Sequence, residues 1–376
     1  MIGNLELSTL QQLWWLITSL VGSLFVFLTF VQGGQTLILT LARSEDEKSL
    51  IVNSLGRKWE LTFTALVLFG GALYAAFPLF YATSFGGAYW VWISILLTFV
   101  IQAISYEFRR KPNNFLGQRT YEIFLLINGT VGILLIGAAI GTFFTGSNFR
   151  LNDYNLVQWT HPLRGLEAAF DPFNICFGLF LVFLARVLGT LYLTSNIEDA
   201  NLVARLKKSS FTNLLLSLPF LFFVLVQLIT MDGFTVDPAT KAISMVAGKY
   251  LDNLLSMPPV LIMLLSGLIL VVVGVILNRF TKSRSGIWPS GLGTVLTCLS
   301  LFFLAGYHNT PFYPSRVDLD SSLTIYNASS SHYTLTMMSY VAILVPFVLA
   351  YIAWVWRQMD SRRLTLDEVT GNSKSY

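Results

Sequence analysis

Nine windows of predominantly apolar residues divide this chain, near 10–32, 61–84, 86–107, 120–146, 172–196, 210–231, 258–279, 286–307 and 335–357. Each has about the 20 residues that an α-helix needs to cross a hydrocarbon layer of roughly 30 Å. Lipid offers backbone amides and carbonyls no hydrogen-bond partners, so runs of this length must satisfy themselves internally as helices. Strands are not expected in bulk. The composition agrees, with 54% hydrophobic and 12% charged residues, too few charges to clothe a water-soluble domain. The expectation is an all-α integral membrane protein, one transmembrane domain over residues 1–376, with nine spans. No Lys or Arg precedes the first apolar run and no small-residue cleavage site ends it, so that run reads as a retained span rather than a secretory signal.

Nine spans place the termini on opposite sides, and the basic residues choose between the two orientations. Loops 43–60, 108–119, 197–209 and 280–285, the tail after Trp356 and the span edge at Arg279 hold 18 of the 24 Lys and Arg. The opposite loops hold five, and Arg186 lies within a span. The reading is N-terminus outside and C-terminus cytoplasmic. The net charge of +4 is then a topology signal and calls for no nucleic acid. Trp14, Trp15, Tyr89, Trp90, Trp92, Trp354 and Trp356 fall near span ends, as headgroup anchors do. Ser44-Glu45-Asp46-Glu47 has capping-box spacing and Gly56 is a helix stop, which predicts a short interfacial helix ahead of the second span.

Membrane redox proteins often hold haem through side chains at membrane depth. The three histidines, His161, His308 and His332, all fall in or beside the outward loops, so an axial pair from this chain is not expected, nor is a metal site. His308 follows the eighth span and is the one that could approach a cofactor edge, although a solvated loop histidine is the simpler account. Cys176 and Cys298 sit in apolar runs and read as small hydrophobic packing residues.

Ionisable and amide groups in or beside the spans are the other candidates. Glu60 opens the second span after Lys58 and Trp59, where the helix dipole favours a carboxylate and where a proton entry would also place one. Glu107 lies beside Arg109, Arg110 and Lys111, a surface ion pair by default, and Glu122 opens the fourth span in the same way. Arg186 has no acid in its own helix; it needs neutral groups on neighbouring helices or a carboxylate of another chain. Gln32 and Gln35 share one helical face beside Gly33 and Gly34, the pattern of close helix contact glued by amides.

Three stretches carry a resemblance: GGALYAAFPLFYAT at 70–83, SLTIYNASSSHYTLTMM at 322–338 and AYIAWVW at 350–356. In this order among nine spans, the sequence resembles subunit II of the cytochrome bd-type quinol oxidases over nearly its whole length. The resemblance implies two four-helix bundles plus one peripheral helix, in a bacterial cytoplasmic (inner) membrane. It implies a haem-free partner of a subunit I that carries two b-type haems and one d-type haem. That pair oxidises quinol and reduces dioxygen to water electrogenically, with a structural quinone and a small accessory subunit as further expected components. It assigns the acid of a Trp-Asp pair, here Trp59-Glu60, to a proton route with Lys58 beside it.

The chain also departs from the family pattern. Where a carboxylate-bearing Asp-Gly-Phe-Asp stretch is usual, it reads FVQGGQTL over 30–37, with Gln32 near an acid's place. An amide releases no proton near neutral pH. An outer Trp-Asp-Ala becomes Tyr326, Asn327 and Ala328. Catalytic residues are therefore not expected in this chain. Its proton-route candidates are Glu60, Lys58, Trp59 and Gln32, and its partner-contact candidates are Arg186 and Glu107. The alternative is a secondary membrane transporter, which predicts internal repeats and helices broken at mid-membrane.

Overall fold

The computed structural model describes residues 2–371. Among these, nine helices are long and apolar enough to cross a membrane: Leu7–Thr40, Glu45–Ala76, Tyr89–Phe108, Gln118–Thr145, Pro172–Asn196, Ala200–Thr230, Pro258–Phe280, Ile287–Gly306 and His332–Met359, spans one to nine in that order. Several run beyond their apolar windows because helices continue into the polar layer, as span six does through Arg205, Lys207 and Lys208. Span one bends at Thr29 and Thr36, whose hydroxyls donate back to the carbonyls of Val26 and Gly33, both at 2.6 Å.

Spans one and five occupy the centre, with 67% and 72% of their apolar windows buried inside the chain. Span one packs on spans two, five and eight; span five packs on spans one, four and six; spans seven and eight pack on each other. Spans one to four and five to eight thus form two adjoining four-helix groups. Span nine, with only 6% of its window buried, lies at the periphery against spans one and two.

Bare backbone makes the central contacts possible. A Cβ on Gly33 would stand 1.8 Å from the carbonyl oxygen of Ala185, and one on Gly189 would stand 2.3 Å from the amide nitrogen of Gly34. Spans one and five therefore meet backbone to backbone, which is how helices associate where lipid removes the hydrophobic drive between them.

The short helix after span one is Glu45–Gly56, and Ser44 Oγ accepts from the Glu47 amide at 3.2 Å as the spacing predicts. The Glu47 carboxylate takes the Arg43 amide at 2.6 Å, one residue ahead of the usual reciprocal bond. From Ser49 onward this helix is covered by the rest of the chain, with Leu50, Ile51, Val52 and Leu55 wedged beneath spans one and five, while Glu45 and Asp46 in its first turn stay exposed.

Two short antiparallel hairpins lie at the opposite end, β1 (Phe149–Leu151) with β2 (Val157–Trp159) and β3 (Gly233–Val236) with β4 (Ile243–Val246). Beside them Phe80 meets Phe143, Phe312 and Tyr313 edge to face, and Phe149 stacks on Tyr313 with planes 17° apart, an aromatic cluster that closes this end of the molecule.

Candidate functional site

The end of the molecule that carries most of the basic residues gathers nearly every polar group the sequence singles out. Lys58 ends the turn between Glu45–Gly56 and Trp59–Ala76 and is only 2% exposed. Its Nζ lies 3.0 Å from Asp360 Oδ1 and 5.2 Å above the Trp356 ring. The same carboxylate oxygen accepts from Asn196 Nδ2 at 3.1 Å and from the Tyr192 hydroxyl at 3.5 Å. Lys58 is thus committed to a latch that holds the end of span nine over spans one, two and five. Arg57 extends the latch with a 2.6 Å ion pair to Glu368.

Trp59 turns inward and stacks on Tyr106 of span three, with centroids 5.5 Å apart and planes 9° from parallel. Its indole N–H is buried without a protein acceptor. Glu60 points the other way. It is exposed in the first turn of Trp59–Ala76, on the rim of a depression shared with Thr64, Tyr351 and Trp356, and among the described residues it makes no ion pair. Of the predicted trio, the acid alone faces the surroundings.

Gln32 is fully buried and donates to Gln102 Oε1 at 3.4 Å; Gln35 donates to the Tyr106 hydroxyl at 3.1 Å. Arg186 is satisfied by neutral groups of its own chain: Nε donates to Asn213 at 2.8 Å, Nη1 to Thr36 at 2.6 Å and Nη2 to Thr40 at 3.5 Å. These contacts tie span five to spans one and six, and they meet its need without a carboxylate from another chain. Glu107 is exposed.

The group that the sequence reading missed is two residues further on. Arg109 and Glu122, 0% and 1% exposed, form a two-point pair in which Nη2 and Nε approach the same carboxylate oxygen at 2.7 and 3.1 Å. Lys48 adds a 3.0 Å contact to the second oxygen and Gln118 a 3.0 Å bond to the first. Glu122 is therefore no surface residue at a helix start but the centre of a buried charge cluster. The signal was present in span three: Thr98, Gln102, Ser105 and Arg109 recur at helical spacing as a polar stripe in an otherwise apolar segment.

The histidines stand apart from all this. His161 lies 3.5 Å from Glu167, His308 is 3.7 Å from Asp252, and His332 bonds the Leu5 carbonyl, all at the opposite end. Among the described residues no three His, Cys, Asp or Glu side chains group as a metal site would require. A haem needs axial donors at its faces, and these three separated residues do not fit one.

A family model, cytochrome bd terminal oxidase subunit II, matches residues 10–359. The chain belongs to that family. It is 28% identical to the cytochrome bd-I ubiquinol oxidase subunit 2 of Escherichia coli K12, covering 99% of both chains, and 26% identical to a probable cytochrome oxidase subunit 2 of Haemophilus influenzae, covering 94% of this chain and 95% of the other. Its fold matches a chain of the bd oxidase from Geobacillus thermodenitrificans, with TM-score 0.58 and 11% identity over 93% of this chain and 98% of that one. The chain is thus an integral membrane component of an oxidoreductase complex, and the transporter reading finds no support.

The outer departure from the family pattern also has a structural account. Asn327 Oδ1 accepts the Thr324 amide at 2.7 Å and its Nδ2 donates to the Ser322 carbonyl at 3.0 Å, so the amide ties the turn with both ends.

Proposed function

We propose that this subunit II is the haem-free scaffold of a quinol-oxidising, dioxygen-reducing pair, with two b-type haems and one d-type haem on subunit I and one continuous transmembrane domain of its own. The observation that carries this reading is the position of the histidines: the three lie apart at the end away from the basic cluster, each with its own partner and none inside an apolar window, which leaves the gripping of iron to subunit I. Cytoplasmic protons reach the complex at Glu60, the exposed acid of the Lys58-Trp59-Glu60 lip, while Lys58 anchors span nine and Trp59 braces span three. Gln32 contributes a buried amide rather than a titrating group. Arg186 holds spans one, five and six in register, and Glu107 stays at the surface where a partner's basic residue could meet it.

The orientation is N-terminus out and C-terminus cytoplasmic, in a bacterial inner membrane. A structural quinone and a small accessory subunit belong to the same reading. Its test is a tagged purification in mild detergent followed by a visible absorption spectrum. A second large polypeptide carrying b- and d-type haem bands is the expected result; a colourless protein purified alone sinks the assignment.

A further inference from the structure

The rest of the chain leaves spans six and seven largely uncovered, with 28% and 33% of their apolar windows buried. The two helices are joined at the basic end of the molecule. Asn278 Nδ2 donates to Ser210 Oγ at 3.3 Å, the Phe211 and Phe280 rings stand edge to face at 5.8 Å, and Lys207 Nζ donates to the carbonyls of Thr281 at 2.9 Å and Ser283 at 3.3 Å.

This junction gathers five cations: Lys207, Lys208, Arg279, Lys282 and Arg284. Lys208 adjoins Lys207, Arg279 and Lys282 flank the Thr281 that Lys207 reaches, and the charges of Arg279 and Arg284 both bear on Lys207. Among the described residues none of the five forms an ion pair. The acids that precede span six do not supply one. Asp199 accepts the Leu202 amide at 2.6 Å as the cap of that helix, and Glu198 is exposed without an ion pair. The buried cations of the same end, Lys58 and Arg109, are by contrast matched by Asp360 and Glu122. Like charges held close repel one another unless a counter-charge lies among them.

The depth of the cluster selects the kind of anion. The apolar windows begin at residue 210 in span six and stop at residue 279 in span seven, so the cations stand where hydrocarbon gives way to headgroups. From Phe211 the exposed side chains Leu215, Leu218 and Phe222 continue along one face of span six. From Arg279 the exposed Ile276, Val272, Ile269 and Leu265 do the same on span seven. A free phosphate would use the cations alone. A phospholipid uses the cations and the apolar stripes together, as acidic headgroups do in basic pockets between membrane helices.

We propose that the joined ends of spans six and seven bind an anionic phospholipid, its phosphate held by Lys208, Arg279 and Lys282 and its acyl chains laid along the two stripes. Lys207 and Arg284, bonded to the carbonyls of Thr281, Ser283 and Ile197, fix the platform on which the other three stand. The lipid brings the negative charge that the chain itself does not place there, and it covers a flank that the other spans leave bare. The site depends neither on the haem assignment nor on proton entry at Glu60.

The test uses the assembled oxidase, stripped of bound lipid by detergent exchange, titrated with dioleoylphosphatidylglycerol and followed by native mass spectrometry and thermal unfolding. Each basic residue near an anionic surface is worth about fivefold in affinity, so Lys208→Gln with Arg279→Gln and Lys282→Gln should weaken the tightest adduct about tenfold or more. The rise in unfolding temperature that the lipid gives the parent should shrink with it. Dioleoylphosphatidylcholine, without net charge, should not distinguish the two proteins. A control variant, Lys111→Gln with Arg362→Gln and Arg363→Gln, removes the same charge from exposed positions at the same end and should bind as the parent does. Equal phosphatidylglycerol binding by the parent and the first variant overturns the site, and so does equal weakening in the control, which would reduce the effect to net charge. Inorganic phosphate raising the unfolding temperature as far as the lipid does also overturns it, in favour of a free-anion site. If the triple variant does not assemble, Arg279→Gln alone is read by the same criterion, with about fivefold expected.

Discussion

Glu60 and Glu122 are both carboxylates near helix starts, Glu60 in the first turn of Trp59–Ala76 and Glu122 one turn into span four, and their surroundings give them different duties. Glu60 is exposed, with the helix dipole as its local support, an interaction of about 0.3–1 kcal/mol. Glu60→Gln should therefore leave assembly and haem content unchanged while slowing quinol-dependent oxygen uptake at least twofold; unchanged turnover would assign the residue to helix starting alone. Glu122 is the sole acid bonded to Arg109 Nε, and it holds Lys48 as well. Removing one member of a buried pair costs about 3–5 kcal/mol, because the remaining charge is left without compensation. Glu122→Leu should accordingly lower the thermal unfolding temperature of the purified complex far more than Glu60→Gln, and equal unfolding temperatures would contradict the buried cluster. Chain position suggested both acids, but not which one would be covered: burial of Glu122 depends on the Glu45–Gly56 helix folding back over it, which residue-by-residue reading does not contain.

At the scale of elements, Gly33 and Gly34 beside Gln32 and Gln35 were legible as a close-contact face, while the partner was not. The structure supplies it in span five, where Ala185 and Gly189 complete a contact with no room for a side chain. Gly33→Ala places a methyl group 1.8 Å from a backbone oxygen, which neither a rotamer change nor a side-chain shift relieves. Spans one and five must then separate, and the Arg186 bonds to Thr36 and Thr40 lengthen with them. The expected outcome is a complex that purifies in reduced yield and unfolds at lower temperature. Gly71→Ala, where an added Cβ meets no heavy atom within 4 Å, should behave as the parent. Equal behaviour of the two variants would contradict the backbone contact. The hairpins β1–β2 and β3–β4 escaped the sequence because strands of three or four residues carry too little alternation to stand out from loops. The burial of Glu45–Gly56 escaped because its capping signal fixes where a helix starts and says nothing of what covers it.

For the whole molecule, the number and order of spans followed directly from apolar length, since a bilayer leaves helices of that length almost no alternative. The grouping into two four-helix sets was legible only through family likeness, because apolar periodicity in lipid does not mark which helix faces which. Charge asymmetry adds the remaining global property, orientation. Among the described residues, 17 of the 24 basic residues of the chain lie at the end bearing the Lys58–Asp360 latch and the Arg109–Glu122 cluster, and retention of Lys and Arg on the cytoplasmic side sets topology in short-looped chains. Arg362 and Arg363 are exposed just beyond span nine at this end. Trypsin added to inside-out vesicles should therefore shorten the chain by its C-terminal tail, while the same protease added to right-side-out cells should leave that tail intact. Cleavage from the outer face alone would invert the topology. It would also place the Glu60 lip on the side from which no cytoplasmic proton could enter, so this one measurement bears on the proposed proton entry as well.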